Sequence, residues 1–283
     1  MRRARAVHTS THLTVHTVTC TDEHADWSAP EVSDTVGIVL VRRGRFRLRG
    51  PGGEVALDRT VGYVEVPGHA YGFAHPAGGD ECTAITVGED LWRQAADGRP
   101  VPSVFAADGR LDTAHRLLLR ADDRFAATEG VLWLLRRALR GVRLPVTAGP
   151  GRRSLAEAAR EAVLADHPAS HDLVGLAREL GVDPAHLSRT FRHHAGVTVS
   201  AFRTRVRVAR ALDRLEEGAD RLAEVAADVG FADQAHLTRA VRAQTGRTPA
   251  DLRALLSRAP RRSDRALAGP GRAVPGGIAH AAR

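Results

Sequence analysis

The chain has 283 residues, 43% hydrophobic and 26% charged, enough for a packed core and for two domains at roughly 100–200 residues each. Every basic residue is an arginine, and half of the net charge of +8 comes from the tail 259–283, with five Arg and one Asp, so charge alone names no partner. No apolar run approaches the roughly 18–20 residues of a membrane helix, and the start MRRARAVHTSTHLTVH lacks the apolar core of a secretory signal. Two cysteines, Cys20 and Cys82, exclude a disulfide-stapled scaffold and a four-thiolate zinc site and point to a cytoplasmic setting.

His8, His12 and His16 are spaced for one face of a helix, but their Thr- and Val-rich setting predicts a strand or an arm rather than a metal ladder. Residues 37–41 form an apolar run, 45–49 alternate, and 55–67 and 82–87 continue the pattern. Turn signals at Gly44, at 50–53, at Pro67-Gly68 and at 76–79 divide them. Short strands at this spacing predict a sandwich or barrel. The period then changes. Leu111, His115, Leu118 and Leu119 fit one helical face, and Val131, Leu134, Leu135, Ala138 and Leu139 fit another, which makes the first 140 residues an α+β unit.

GVRLPVTAGPGRR, 141–153, has no period and reads as a linker. Ser154 and Glu157 have capping-box spacing and predict a helix start; from there to 257 the chain reads as all-helical. The tail 258–283 is rich in Pro, Gly and Arg and is expected to be disordered.

The helical part contains an internal repeat. LVGLARELG at 173–181 aligns with LAEVAADVG at 222–230, and AHLSRTFRHHAGVTVSAFR at 185–203 aligns with AHLTRAVRAQTGRTPADLR at 235–253, with eight identities in the second pair. Each copy predicts a helix-turn-helix. A first helix ends at Gly181 or Gly230, which can take a left-handed conformation. Asp183 with Pro184, or Asp233, opens a second helix, and Thr198 or Thr248 caps the next. The apolar positions turn Leu187 and Phe191, or Leu237 and Val241, inward. They leave Ala185, Ser188, Arg189 and Arg192 outward in the first copy and Gln234, Ala235, Thr238, Arg239 and Arg242 in the second.

These residues resemble the tandem helix-turn-helix domain of the AraC/XylS family of bacterial transcription regulators over about 152–257, most specifically in GFADQAHLTRAVRAQTGRTPADLR. The resemblance implies double-stranded DNA as partner, with the second helices in successive major grooves. Arg189 and Arg239 would donate to guanine; Ser188, Thr238 and Gln234 would meet base edges, and Ala185 and Ala235 thymine methyls. Arg192, Arg203, Arg242 and Arg253 would hold phosphates.

Residues 36–87 resemble the cupin-like sensor domains that precede such readers, so 1–140 is expected to be a cupin-like β-barrel with a helical appendage, for sensing or dimerisation. Cupin enzymes hold a metal through a His-x-His…Glu set and a later His. Here Arg42-Arg43-Gly44-Arg45-Phe46 stands at the first motif, and Glu65, His69, His75 and Cys82 are scattered. No metal, no cofactor and no enzymatic activity are therefore expected, and a cupin-type enzyme fused to a DNA-binding domain is the alternative. Trp27, His69, Tyr71, Phe73 and His75 are the candidates for lining an effector pocket. RNA polymerase, for an activator, and a second copy of the chain complete the expected partners.

Overall fold

The structure, a computed structural model, describes residues 2–141 and 150–257. The expected linker falls largely outside those residues and the expected disordered tail wholly outside them. The described chain divides into two compact units, a sheet-rich one drawn chiefly from 2–141 and a helical one drawn chiefly from 150–257. Among the described residues no helix is long and apolar enough to cross a membrane.

The sheet-rich unit has strands β1 (Arg2–Thr9), β2 (Leu13–Cys20), β3 (Glu31–Val32), β4 (Val36–Arg43), β5 (Phe46–Gly50), β6 (Gly53–Leu57), β7 (Val61–Glu65), β8 (Ala70–Ala74), β9 (Asp80–Val87) and β10 (Val104–Ala106). They form two antiparallel sheets, a six-stranded one in the order β1-β2-β9-β4-β7-β10 and a four-stranded one in the order β3-β8-β5-β6. Among the described residues no ladder joins the two sheets. The N-terminal segment is a hairpin: β1 pairs with β2, which pairs with β9 over its whole length. His8 sits on β1, His12 in the turn and His16 on β2, so the three do not form a ladder.

Strand alternation sets the faces. Phe46 and Leu48 of β5 are buried while Arg47 and Arg49 between them are exposed, and both guanidiniums lie over the Trp27 ring, at 5.1 and 4.3 Å. Helix α1 (Glu89–Ala96) and strand β10 are too short for a period to be read from sequence. Helices α2 (Gly109–Leu118) and α3 (Arg124–Arg140) fall where the apolar period predicts them.

The helical unit runs α4 (Pro150–Leu164), a 3-10 turn (Pro168–His171), α5 (Leu173–Glu179), α6 (Pro184–Ala195), α7 (Val199–Glu216), α8 (Leu222–Asp228), α9 (Gln234–Thr245) and α10 (Pro249–Leu256). Helix α4 begins before Ser154, so that residue lies inside the helix rather than at its start. The core of the first motif brings Leu176 and Ala177 against Leu187, Phe191, Phe202 and Val206, with Phe191 and Phe202 edge to face at 5.4 Å. In the second motif Val225, Ala226, Phe231, Leu237, Val241 and Leu252 are buried. Helix α7 touches both α6 and α9 and so ties the two motifs together.

Candidate functional site

The two second helices, α6 and α9, are set by the same local devices. Gly181 and Gly230 end the preceding turns at φ +65° and +83°, a region that strains any residue with a Cβ. Asp183 accepts from the amides of Ala185 and His186 at 2.9 and 3.0 Å, with Pro184 in the first helical turn; Asp233 accepts from His236 N at 2.6 Å. Both helices end at a left-handed glycine, Gly196 or Gly246. Thr198 caps α7 through Ala201 N, and Thr248 with Asp251 forms a full capping box on α10. Accepting from the Thr248 hydroxyl and amide holds the Asp251 carboxyl below its ordinary value.

The helices are thus fixed on their inner faces and open on their outer ones. Ala185, Arg189 and Arg192 of α6 are exposed, as are Gln234, Ala235, Arg239 and Arg242 of α9, while Ser188 and Thr238 are partly covered. Thr238 Oγ1 donates to Gln234 O at 2.8 Å, one turn back along its own helix. Among the described residues Arg189, Arg192, Arg239 and Arg242 enter no salt bridge. Elsewhere in the unit arginines are paired: Arg210 with Asp166 at 3.2 Å, Arg214 with Asp228 at 3.1 Å and Arg221 with Glu224 at 2.7 Å.

Arg203 and Arg253, expected to hold phosphates, are engaged inside the unit. Arg203 Nη1 donates to the carbonyls of Ser170 and His171, and Arg253 Nη1 to that of Asp220 at 2.6 Å. Those carbonyls immediately precede Asp172 and Arg221, the residues that open α5 and α8.

In the sheet-rich unit a cavity of about 90 Å³ lies between the sheets, lined among others by Val39 and Tyr63 from the larger and Phe46 and Phe73 from the smaller. That is well below the roughly 300–1,000 Å³ of sites for drug-sized ligands. Of the five expected pocket residues, Phe73 and His75 line it. Tyr71 is buried beside it with its hydroxyl accepting from Val66 N at 3.0 Å; Trp27 lies under Arg47 and Arg49, and His69 is exposed. Burial pushes the Glu65 carboxyl up to about 7, against the pull of a Ser33 hydrogen bond and the Arg2 charge.

The cupin donor set does not fit here, since Arg42, Arg43, Gly44, Arg45 and Phe46 offer no ligand at the first motif. Among the described residues the expected candidates Glu65, His69, His75 and Cys82 form no ligand group, but a different set does. Cys20, His75 and Asp80, all buried, bring one ligand atom each to within 4.8 Å of one another. Sequence reading missed Cys20 and Asp80 because neither lies in a recognisable metal motif.

Two helix pairs, each with a capped second helix whose outward arginines enter no salt bridge among the described residues, define a tandem helix-turn-helix domain. Residues 176–254 match the family described as helix-turn-helix domain. Over 93 residues the chain is 33% identical to the arabinose operon regulatory protein of Salmonella typhimurium and 31% identical to that of Escherichia coli, each match covering 32% of this chain. It covers 33% and 32% of those proteins, so the chain spans about a third of the length of the curated relatives it matches. Over that region the chain is thus similar to the helix-turn-helix part of arabinose operon regulators. Among solved structures, the chain is similar to ToxT of Vibrio cholerae with an unsaturated fatty acid bound, at 10% identity and TM-score 0.35, covering 88% of this chain and 98% of that one. It is also similar to the C-terminal domain of AraT, a response regulator from Geobacillus stearothermophilus, at 25% identity and TM-score 0.33, covering 35% of this chain and 84% of that one.

Proposed function

We propose that the chain is a cytoplasmic, sequence-specific DNA-binding transcription regulator and not an enzyme. The observation that carries this reading is the exposure of Arg189 and Arg239 at equivalent places in the two motifs, each on a helix held rigidly from behind and each without a salt bridge among the described residues. A guanidinium in that state can donate its fork to guanine O6 and N7. Ser188, Thr238, Gln234, Ala185 and Ala235 complete the base-reading face. Arg192 and Arg242 hold phosphates, while Arg203 and Arg253 act by fixing the motifs.

In this reading residues 1–140 form a cupin-like sensor or dimerisation domain, 141–153 a linker, 154–257 the DNA reader and 258–283 a tail. Two antiparallel sheets with a cavity between them support the cupin-like description. A small-molecule effector acts through the sheet-rich unit, and RNA polymerase and a second copy of the chain are further partners. The test is selection of bound fragments from random and genomic DNA with the full chain. Enrichment of one motif, with binding that weakens steeply as salt rises, supports the reading. Unselective recovery of DNA contradicts it.

A further inference from the structure

We infer that the sheet-rich unit holds a zinc-class divalent cation on Cys20, His75 and Asp80, with a fourth coordination position facing the cavity. This goes beyond the DNA-binding reading and does not depend on it.

Register and a close approach build the site. Cys20 ends β2 and Asp80 begins β9, and the two are direct cross-strand partners. His75 lies just past β8, where its backbone exchanges hydrogen bonds with His24 at 2.8 and 3.3 Å. The turn between His75 and Asp80 presses against β2 so closely that a Cβ on Gly79 would sit 2.2 Å from Cys20 O, so only glycine permits the approach. Phe46 stacks on the His75 ring at 5.6 Å and fixes its plane.

The hydrogen bonds then set the lone pairs. His24 Nδ1 donates to Asp26 O at 2.7 Å, because a carbonyl can only accept. With His24 neutral, its Nε2 is an acceptor, and His75 Nδ1, 3.2 Å away, must carry the proton. In a neutral His75 ring that leaves a lone pair on Nε2, which lies 2.9 Å from Asp80 Oδ1, whereas a doubly protonated ring would donate to that oxygen. Asp80 is 7% exposed, and its Oδ1 has no hydrogen-bond partner. Two acceptors facing each other in a buried site repel unless a cation lies between them. Cys20 Sγ adds the third donor.

A mixed sulfur, nitrogen and oxygen set of three, with one position left, suits zinc. The outer shell fits as well. A ligating histidine usually donates its other ring N–H, as His75 does to His24, and Cys82 donates to Asp80 Oδ2 at 2.7 Å, orienting the carboxylate. The three ligand residues line the cavity wall, so the fourth position opens onto it.

The experiment uses the full chain, prepared without a histidine tag, stripped with a chelator and titrated first with zinc and then, in a second sample, with cobalt. One zinc per chain is expected, and cobalt should give a thiolate-to-metal absorption band. Cys20→Ser should lose the band, and His75→Ala and Asp80→Asn should weaken zinc binding by at least about tenfold, by comparison with the 10–100-fold typical of outer-shell changes. Wild-type protein that takes up only traces of zinc overturns the inference whether or not the variants fold, because a proton then bridges His75 and Asp80. A thiolate band that survives in Cys20→Ser also overturns it.

Discussion

Arg203 and Arg253 perform the same act in the two motifs: each guanidinium, on the helix that follows an outward-facing second helix, donates to a backbone carbonyl 33 residues earlier in the chain, at Ser170 and at Asp220. The clamp fixes the entry to α5 and to α8, the helices that support the outward-facing ones. The repeat therefore duplicates a tertiary contact as well as a sequence.

A clamp and a phosphate contact fail differently. Arg203→Ala should lower the stability of the helical unit by about 1–3 kcal/mol, as loss of a charged hydrogen bond does. Arg253→Ala should cost less, because its bond is more exposed. Neither should change the salt dependence of DNA binding once the protein is folded. Denaturant midpoints and the slope of log affinity against log salt check both. A slope reduced by about one, with stability intact, returns these residues to the phosphate role.

Asp183 closes two backbone amides at the start of α6. Asp183→Ala should cost about 1 kcal/mol of stability and Asp183→Asn much less, since asparagine caps nearly as well. Thermal unfolding of the three proteins provides the comparison, and equal losses in the two variants would show that the cap hydrogen bonds contribute nothing.

Glu65 makes the stability of the sheet-rich unit depend on pH. Its carboxyl titrates at about 7 in the folded unit against 4.5 when exposed, so between those values the folded state holds a proton that the unfolded chain has released. The contribution is full below about pH 4.5, falls as pH rises through the window and levels off above 7, with a ceiling of roughly 3 kcal/mol at 1.36 kcal/mol per unit. Glu65→Gln should remove this component. The check is the difference between wild-type and variant denaturant midpoints from pH 5 to pH 8. A difference that does not grow with pH rejects the assignment.

The tandem helix-turn-helix was legible in the sequence because its determinants are local. Glycine at 181 and 230, Asp183 and Asp233 before a helix, and Thr198 and Thr248 after a glycine each act within a few residues, and the repeat doubled the signal. The clamps were illegible because their acceptors are backbone carbonyls, which no residue type marks. In the sheet-rich unit Phe73 and His75 line the cavity, whereas Trp27 lies under the exposed Arg47 and Arg49, a pairing that spacing in the sequence does not mark. Cys20 and Asp80 meet through the β2–β9 register, a long-range property that spacing does not encode.

The most direct test of the central claim is a base-by-base affinity profile of the full chain on its selected site, repeated for Arg189→Ala and Arg239→Ala. Two blocks of preference about one helical turn of DNA apart are expected, roughly 34 Å. Arg189→Ala should cost about 1–3 kcal/mol and flatten one base pair in one block, and Arg239→Ala should do the same in the other. Uniform weakening across all positions in both variants, with the profile unchanged, would show that these arginines only hold the backbone, and would contradict the account of a tandem reader.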